Sequence, residues 1–253
     1  KGRGTQGLYR IDRLTLDVTL LSTGGQFVVP AGVVVEPDGR ILVLDIAAFN
    51  LTGAVFRVDP SQPLPTGQTV LARGGVTGSH LYYPTGIGIA PVGAPTAATV
   101  YVSDIGNGGD RPPKILEINP VNGAQRVVAL GRVNVAAGER TFIYPAGLDV
   151  GLDGKVLVVD AHARKIFEVD PYAEDLENNA RVISEDAKFI QPTHVAIDPV
   201  SGHLFVTDAI ANGGIGRSFI FEIDPANGDL SGNAAIVTMD GIMEEPRGIK
   251  VVP

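Results

Sequence analysis

The stretch "YPAGLDVGLDGKVLVVDAHARKIFEVDP", residues 144–171, holds two glycine turns, two apolar runs and one isolated histidine. It can be read as a catalytic cassette around His162 or as one unit of a repeat. Recurrence decides between them, because self-similarity at a fixed period marks repeat architectures before any local motif does. Its Pro-x-Gly element returns as Pro30-Ala31-Gly32, Pro84-Thr85-Gly86, Pro145-Ala146-Gly147, Pro192-Thr193-His194 and Pro246-Arg247-Gly248.

The order inside each unit is constant although the spacing varies. After the first four prolines come an apolar run and a turn, in "GVVVEPDG", "GIGIAPVG", "GLDVGLDG" and "HVAIDPVSG". Asp-Gly and Ser-Gly at these turns allow the positive φ that tight strand reversals demand. A second run then ends on aspartate, in "ILVLD", "TVYVSD", "KVLVVD" and "HLFVTD", at Asp45, Asp104, Asp160 and Asp208. A third run closes on Asp/Asn-Pro, in "AVFRVDP", "KILEINP", "KIFEVDP" and "FIFEIDP", and a fourth follows in "TVLAR", "QRVVAL", "ARVIS" and "AAIVTM". Four short strands per repeat make a propeller blade.

The ends fit each other. The chain finishes on "EPRGIKVVP", a first strand without successors, and opens on "GLYRIDRLTLDVTLLSTGG", third and fourth strands without predecessors. The expectation is an all-β, five-bladed β-propeller in one domain, residues 1–253, with blades at about 30–83, 84–144, 145–191, 192–245 and 246–253 plus 1–29. The last blade is closed by strands from both termini and shows no second strand within residues 1–253, so either it has three strands or residues beyond these supply the fourth; six blades would need a unit that the chain does not show.

Composition agrees. In 253 residues 44% are hydrophobic and 19% charged, with 32 Gly and 18 Pro, which suits short strands and tight turns. A net charge of −8 and the lack of any long Lys/Arg run exclude phosphate-backbone binding, so nucleic acid is not an expected partner. Every apolar run is too short for a membrane helix. Cysteine is absent, which removes disulfides, thiolate metal sites and a cysteine nucleophile. The first residue is Lys1 rather than Met, and the expectation is a secreted, periplasmic or cell-surface protein.

The 144–171 unit resembles an NHL repeat, and the whole chain is similar to the NHL and SMP-30/gluconolactonase-like group of β-propellers. That group includes lactonases, lyases and pure binding scaffolds, so the resemblance implies a fold more than an activity. For the SMP-30-like lactonases it implies a divalent metal near the axis, held by carboxylate and amide side chains, with Asn or Asp at the middle of the Pro-x-Gly element. Here those middle positions are Ala31, Thr85, Ala146, Thr193 and Arg247, poor ligands for a hard cation. No cofactor is expected, and Ca²⁺ has no supporting ligand set.

In a propeller the loops after the second and fourth strands share one face, where ligand sites collect. Asp45, Asp104, Asp160 and Asp208 could form a cation-binding ring, but recurrence after every second strand favours a turn cap accepting backbone N–H groups. Asp59, Asn119, Asp170 and Asp224 before proline read as turn starters. His194 replaces the glycine of the other four elements near the axis; channel packing or hydrogen bonding is the first reading and ligand contact the second. His162 lies in an outer loop of the preceding blade, His80 in an insertion on the same face, and His203 on the opposite side.

The loops "DIGNGGDRPP" (104–113) and "DAIANGGIGRS" (208–218) each carry Asn-Gly-Gly and then Arg, which could offer N–H groups and a guanidinium to an anion. Neither is a phosphate loop, since no Gly-Lys-Ser/Thr follows. Gly-x-Ser-x-Gly is absent, Ser79–His80 is an adjacent pair rather than a triad, and Glu244–Glu245 point to opposite sides of an extended chain. No catalytic residue is assigned. The expected ligand contacts are His194, Arg247, His162, Arg164, Asn107, Asp110, Arg111, Asn212 and Arg217. The leading expectation is a non-enzymatic exported propeller that binds a protein or extracellular ligand through the loop-rich face. The alternatives are an SMP-30-like lactonase, hydrolase or lyase with an axial site near His194, and a structural subunit of a larger extracellular assembly.

Overall fold

Each apolar run of the repeat becomes one strand of a five-bladed β-propeller, seen in a computed structural model that describes residues 6–62, 67–132, 141–210, 218–239 and 248–251. The first blade comprises β3 (Pro30–Val35), β4 (Ile41–Asp45), β5 (Ala54–Val58) and β6 (Gln68–Arg73). The second comprises β7 (Pro84–Ile89), β8 (Val100–Asp104), β9 (Lys114–Ile118) and β10 (Gln125–Leu130). The third comprises β11 (Pro145–Val150), β12 (Val156–Asp160), β13 (Lys165–Val169) and β14 (Arg181–Ser184). The fourth comprises β15 (Pro192–Ile197), β16 (Leu204–Asp208), β17 (Phe219–Ile223) and β18 (Ala234–Met239). All four are antiparallel sheets in simple sequential order. The fifth unit holds β1 (Gly7–Ile11) and β2 (Val18–Thr23).

A bulge recurs at one place in all five units. The ladder between third and fourth strands shifts at Val55/Phe56, Ile166/Phe167 and Ile220/Phe221, opposite Ile115/Leu116, and at Leu8/Tyr9 in β1. One extra residue per outer strand bends and twists the blade. Its presence in β1 identifies that strand as a third strand, as the sequence reading has it.

Blades are held together by apolar layers between neighbouring sheets. Leu42, Leu44 and Val55 of the first blade meet Ile87, Val100, Val102 and Leu116 of the second. Tyr101 and Ile115 of the second meet Leu148, Val150, Val158 and Phe167 of the third. Leu157, Val159 and Ile166 of the third meet Val195, Val206 and Phe221 of the fourth. Leu8 and Leu21 pack on Ile41, Val43, Phe56 and Val58. Strands buried on both faces need apolar residues throughout, which is why the second strands read as continuous runs rather than alternating ones.

The five-bladed architecture stands, while the closure of the fifth blade falls partly on residues outside the described ones. Among the described residues β1 pairs only with β2, and Gly248–Val251 belong to no strand. The tail does lie at the axis, where Gly248 faces the ring of His194 and Lys250 Nζ meets the Asp149 carboxylate at 2.9 and 3.0 Å. In the complete blades the inner strand hydrogen-bonds to its second strand and to no other. The expected blade members at 240–247 and 252–253 lie outside the described residues.

Candidate functional site at the axial mouth

The loop face is organised by four buried aspartates, each ending a second strand. Asp160 Oδ2 accepts N–H bonds from Ile143 (2.7 Å) and Tyr144 (2.8 Å), and its Oδ1 accepts from His162 (3.0 Å) and Ala163 (2.7 Å). Asp45 does the same for Val28, Val29, Ala47 and Ala48. Asp104 clamps Tyr82, Tyr83 and Gly106, and Asp208 clamps Ile190, Gln191 and Ile210. Each carboxylate therefore ties the segment entering its blade to the loop leaving the second strand. The capping reading holds: these oxygens are saturated by backbone donors, and Asp104 additionally takes Lys114 Nζ at 3.1 Å. Burial pushes the Asp160 pKa up, against the pull of its four N–H bonds.

The turn starters also hold. Asp59, Asn119, Asp170 and Asp224 each accept the N–H two residues on, from Ser61, Val121, Tyr172 and Ala226.

A pattern invisible to the Pro-x-Gly alignment anchors the same entry segments. Phe27, Leu81, Phe142 and Phe189 sit three residues before the inner-strand prolines and are all buried. Phe27, Phe142 and Phe189 meet Phe56, Phe167 and Phe221 edge to face, with ring centroids 5.5, 5.0 and 5.2 Å apart. Such pairs contribute roughly 0.5–1.5 kcal/mol beyond their buried area. Extending the repeat three residues upstream would have found them.

Inside this frame an axial cavity of about 470 Å³ opens on the loop face. Its wall is built from the middle and third positions of the Pro-x-Gly elements, together with Tyr83, Tyr144 and Gln191 from the clamped entries. The threonine hydroxyls in that wall are engaged: Thr85 Oγ1 donates to the Pro145 carbonyl at 2.7 Å, and Thr193 Oγ1 is 2.9 Å from Thr207 Oγ1. Among the described residues, His194 is the one titratable side chain in the cavity's non-tyrosine lining. Its Nδ1 accepts the Val195 N–H at 2.9 Å, and burial pushes its pKa down, so the imidazole stays neutral at pH 7. Gly147 makes room for it: a Cβ there would lie 2.6 Å from the His194 ring.

The predicted contacts separate into three groups. His194 lines the cavity, while His162 is exposed at the rim with its ring 5.2 Å from Tyr144. Arg164 is exposed beside it, at a φ of 56°. Asn107, Asp110 and Arg111 form a self-contained loop: Asn107 donates to Asp110 at 2.7 Å, and the Arg111 guanidinium lies 4.9 Å from the Tyr82 ring centre. Arg247, Asn212 and Arg217 lie outside the described residues, as do Glu244 and Glu245. His80 is bound elsewhere on this face, its N–H given to Gln125 at 2.8 Å. His203 pairs with Glu222 at 2.7 Å, in the hairpin region of the opposite face.

Hard divalent cations take several carboxylate or carbonyl oxygens. The axial wall offers the Ala31 and Ala146 methyls, two engaged threonine hydroxyls and one imidazole, and does not fit the metal that the lactonase resemblance implies. No cluster of three His, Asp or Glu side chains suited to a metal occurs among the described residues. Nor does any helix among them have the length and apolarity to cross a membrane.

Comparison with known proteins confirms the fold. No protein-family model matches the chain. A peptidylglycine alpha-amidating monooxygenase of Rattus norvegicus is 32% identical over 82 residues, covering 30% of this chain and 8% of that protein. The B form from Xenopus laevis is 33% identical over 85 residues, 32% of this chain and 10% of that protein. The matched stretch thus spans a tenth or less of these relatives. Among solved structures, a nidogen/laminin complex aligns over 96% of this chain and 77% of that chain, with a TM-score of 0.64 and 17% identity. A structure assigned as a gluconolactonase aligns over 88% and 68%, with a TM-score of 0.56 and 15% identity. TolB from Acinetobacter baumannii aligns over 87% and 46%, at 0.55 and 13%. These are NHL-type and related β-propellers, and the likeness is one of fold.

Proposed function

We propose that this chain is a non-catalytic binding propeller that presents its axial mouth and loop face to a protein or other extracellular partner. One observation carries this reading: the recurrent aspartates are spent clamping backbone, leaving a cavity that the described residues line with methyls, tyrosines, engaged hydroxyls and one neutral imidazole. Such a surface suits recognition, where aromatic groups and a cationic rim dominate. Tyr82 under Arg111 supplies both, and Tyr144 against His162 adds an aromatic pair. The likeness to a nidogen structure solved with laminin supports the partner class, an extracytoplasmic location and membership of a larger assembly.

A photoreactive side chain introduced at position 162 or 111 should crosslink a defined extracellular protein, while the same group at 203 on the opposite face should not. The enzymatic alternative draws on His194 within the cavity and on the gluconolactonase-like neighbour. Chelator-sensitive hydrolysis of sugar lactones that disappears in His194→Ala would replace the binding reading with that one.

A further inference from the structure

The chain holds four Asn-Gly pairs, at 107–108, 122–123, 212–213 and 227–228. Such a pair can react with itself, because glycine has no Cβ to keep its backbone nitrogen away from the carboxamide carbon of the residue before it. The turn around each asparagine decides whether it does. The pair at 212–213 lies outside the described residues.

Asn122 is held back. The Gly123 N–H, whose nitrogen would be the nucleophile, donates to the Asn119 carbonyl at 2.9 Å. A Cβ on Gly123 would fall on the Leu71 carbonyl oxygen, so this turn is packed onto the first blade and keeps its conformation. Asn107 and Asn227 lack that restraint: neither the Gly108 nor the Gly228 N–H donates to a described residue, and nothing lies within 4 Å of where a Cβ on either glycine would stand. Asn107 differs from Asn227 at its carbonyl. Its Oδ1 accepts two backbone N–H groups, from Gly109 at 2.9 Å and Arg111 at 3.1 Å, whereas Asn227 Oδ1 accepts one, from Asp229 at 3.1 Å. Attack on Cγ turns that oxygen into an oxyanion, and donors already aimed at it stabilise the charge as it develops.

We propose that Asn107-Gly108 is a self-modification site, at which the loop after β8 converts its own asparagine to aspartate and isoaspartate. The Gly108 nitrogen bonds to Asn107 Cγ and gives its proton to water, and the charge collects on Oδ1 between the Gly109 and Arg111 N–H groups. Collapse breaks the Cγ–Nδ2 bond; Nδ2 leaves as ammonia with a proton taken from water, and a succinimide remains. Water then opens either imide carbonyl, giving aspartate or isoaspartate.

The product rewires the turn. Asn107 Nδ2 donates to Asp110 Oδ1 at 2.7 Å, and this bond is the first cause holding the Asp110 carboxyl below its ordinary value. Conversion replaces the donor with a carboxylate, so two negative oxygens face each other where a hydrogen bond stood. Arg111 is the adjacent cation, and its contact with Tyr82, 4.9 Å from guanidinium to ring centre, is the feature of the loop face that changes with the age of the molecule. The modification itself does not depend on the binding reading above.

The purified full chain, incubated at mildly alkaline pH, tests this by peptide mapping, with mass spectrometry following amide hydrolysis and an isoaspartyl methyltransferase counting isoaspartate. In the folded chain Asn107 should convert about tenfold or more faster than Asn122, with Asn227 between them. In the urea-unfolded chain the three rates should converge, since each asparagine precedes glycine. Arg111→Pro removes one N–H from Oδ1 and should slow Asn107 several-fold, towards the Asn227 rate. Asn107→Asp, the product itself, should raise the Asp110 titration seen by carbon NMR. The proposal is overturned by equal rates at Asn107 and Asn122 in the folded chain, by Asn227 outpacing Asn107, or by an Arg111→Pro rate equal to the parent's. Aspartate without isoaspartate also overturns it, because direct hydrolysis would then bypass the succinimide.

Discussion

Replacing Asp160 with alanine tests whether the aspartate clamps, rather than any ligand, account for these carboxylates. The side chain is fully buried and satisfies four backbone donors at 2.7–3.0 Å. A buried donor left without a partner costs about 1–3 kcal/mol. His162 is exposed and its N–H turns to water, whereas Ile143, Tyr144 and Ala163 are half-buried and are only partly rescued. The net loss should be about 2–5 kcal/mol, equivalent to roughly 5–15 °C in melting temperature for a chain of this size. Asp153→Ala in the opposite hairpin removes a single exposed bond to Lys155 N and should cost less than about 1 kcal/mol. Urea unfolding followed by circular dichroism measures both. Equal stability of the two variants, or metal-dependent melting of the parent that is lost in Asp160→Ala, would refute the clamp assignment.

Gly147→Ala should cost about 1–3 kcal/mol by pushing a methyl into the His194 ring and backbone, and the added change His194→Gly should recover only part of that loss in thermal melts, because the His194 Cα, 2.7 Å from the new methyl, remains. His194 has its pKa pushed below the ordinary 6.5 by burial, so the unfolded chain takes up a proton that the folded chain refuses. Stability should therefore fall as pH drops below about 6.5, and His194→Gln should flatten that slope in urea titrations. His203 shows the opposite sign: its hydrogen bond to Glu222 raises its pKa above 6.5, so its contribution is complete below that pH and is lost as pH rises through the folded value. Proton NMR should place the His203 midpoint above 6.5 and return it to the ordinary value in Glu222→Gln.

The repeat made the scaffold readable because each blade imposes the same constraint on the same position. "ILVLD", "TVYVSD", "KVLVVD" and "HLFVTD" end at Asp45, Asp104, Asp160 and Asp208, and β4, β8, β12 and β16 end there too. The functional face was less legible. That Asp160 accepts N–H groups from Ile143 and Tyr144 follows from the β11–β12 register, which sets Pro145 opposite Asp160, and that register is read from the pairing rather than from the composition of either run. The Arg111 contact with Tyr82 likewise joins two insertions whose courses the repeat does not fix.

Hairpin length shapes the face opposite the axial mouth by the same logic. The second blade joins β7 to β8 through a long loop, and its Pro95 and Thr96 come within 3.4 Å of where a Cβ on Gly154 would stand, filling the space before the third blade. The third blade joins β11 to β12 through the short turn at residues 151–155, which cannot reach the fourth. The result is a cleft of about 510 Å³ between the third and fourth blades, walled by Val150, Leu157, Ile183, Ile197 and Leu204 and bordered by Lys250. The Asp149 carboxylate spans its axial end, accepting the Ile197 N–H at 3.0 Å and pairing with Lys250. Identical strands thus leave the blade interfaces alike, while one shortened turn opens a gap. Lengthening that turn to the second blade's sequence should close the cleft without altering the four-stranded sheets, which exclusion of a hydrophobic dye and an unchanged circular dichroism spectrum would register.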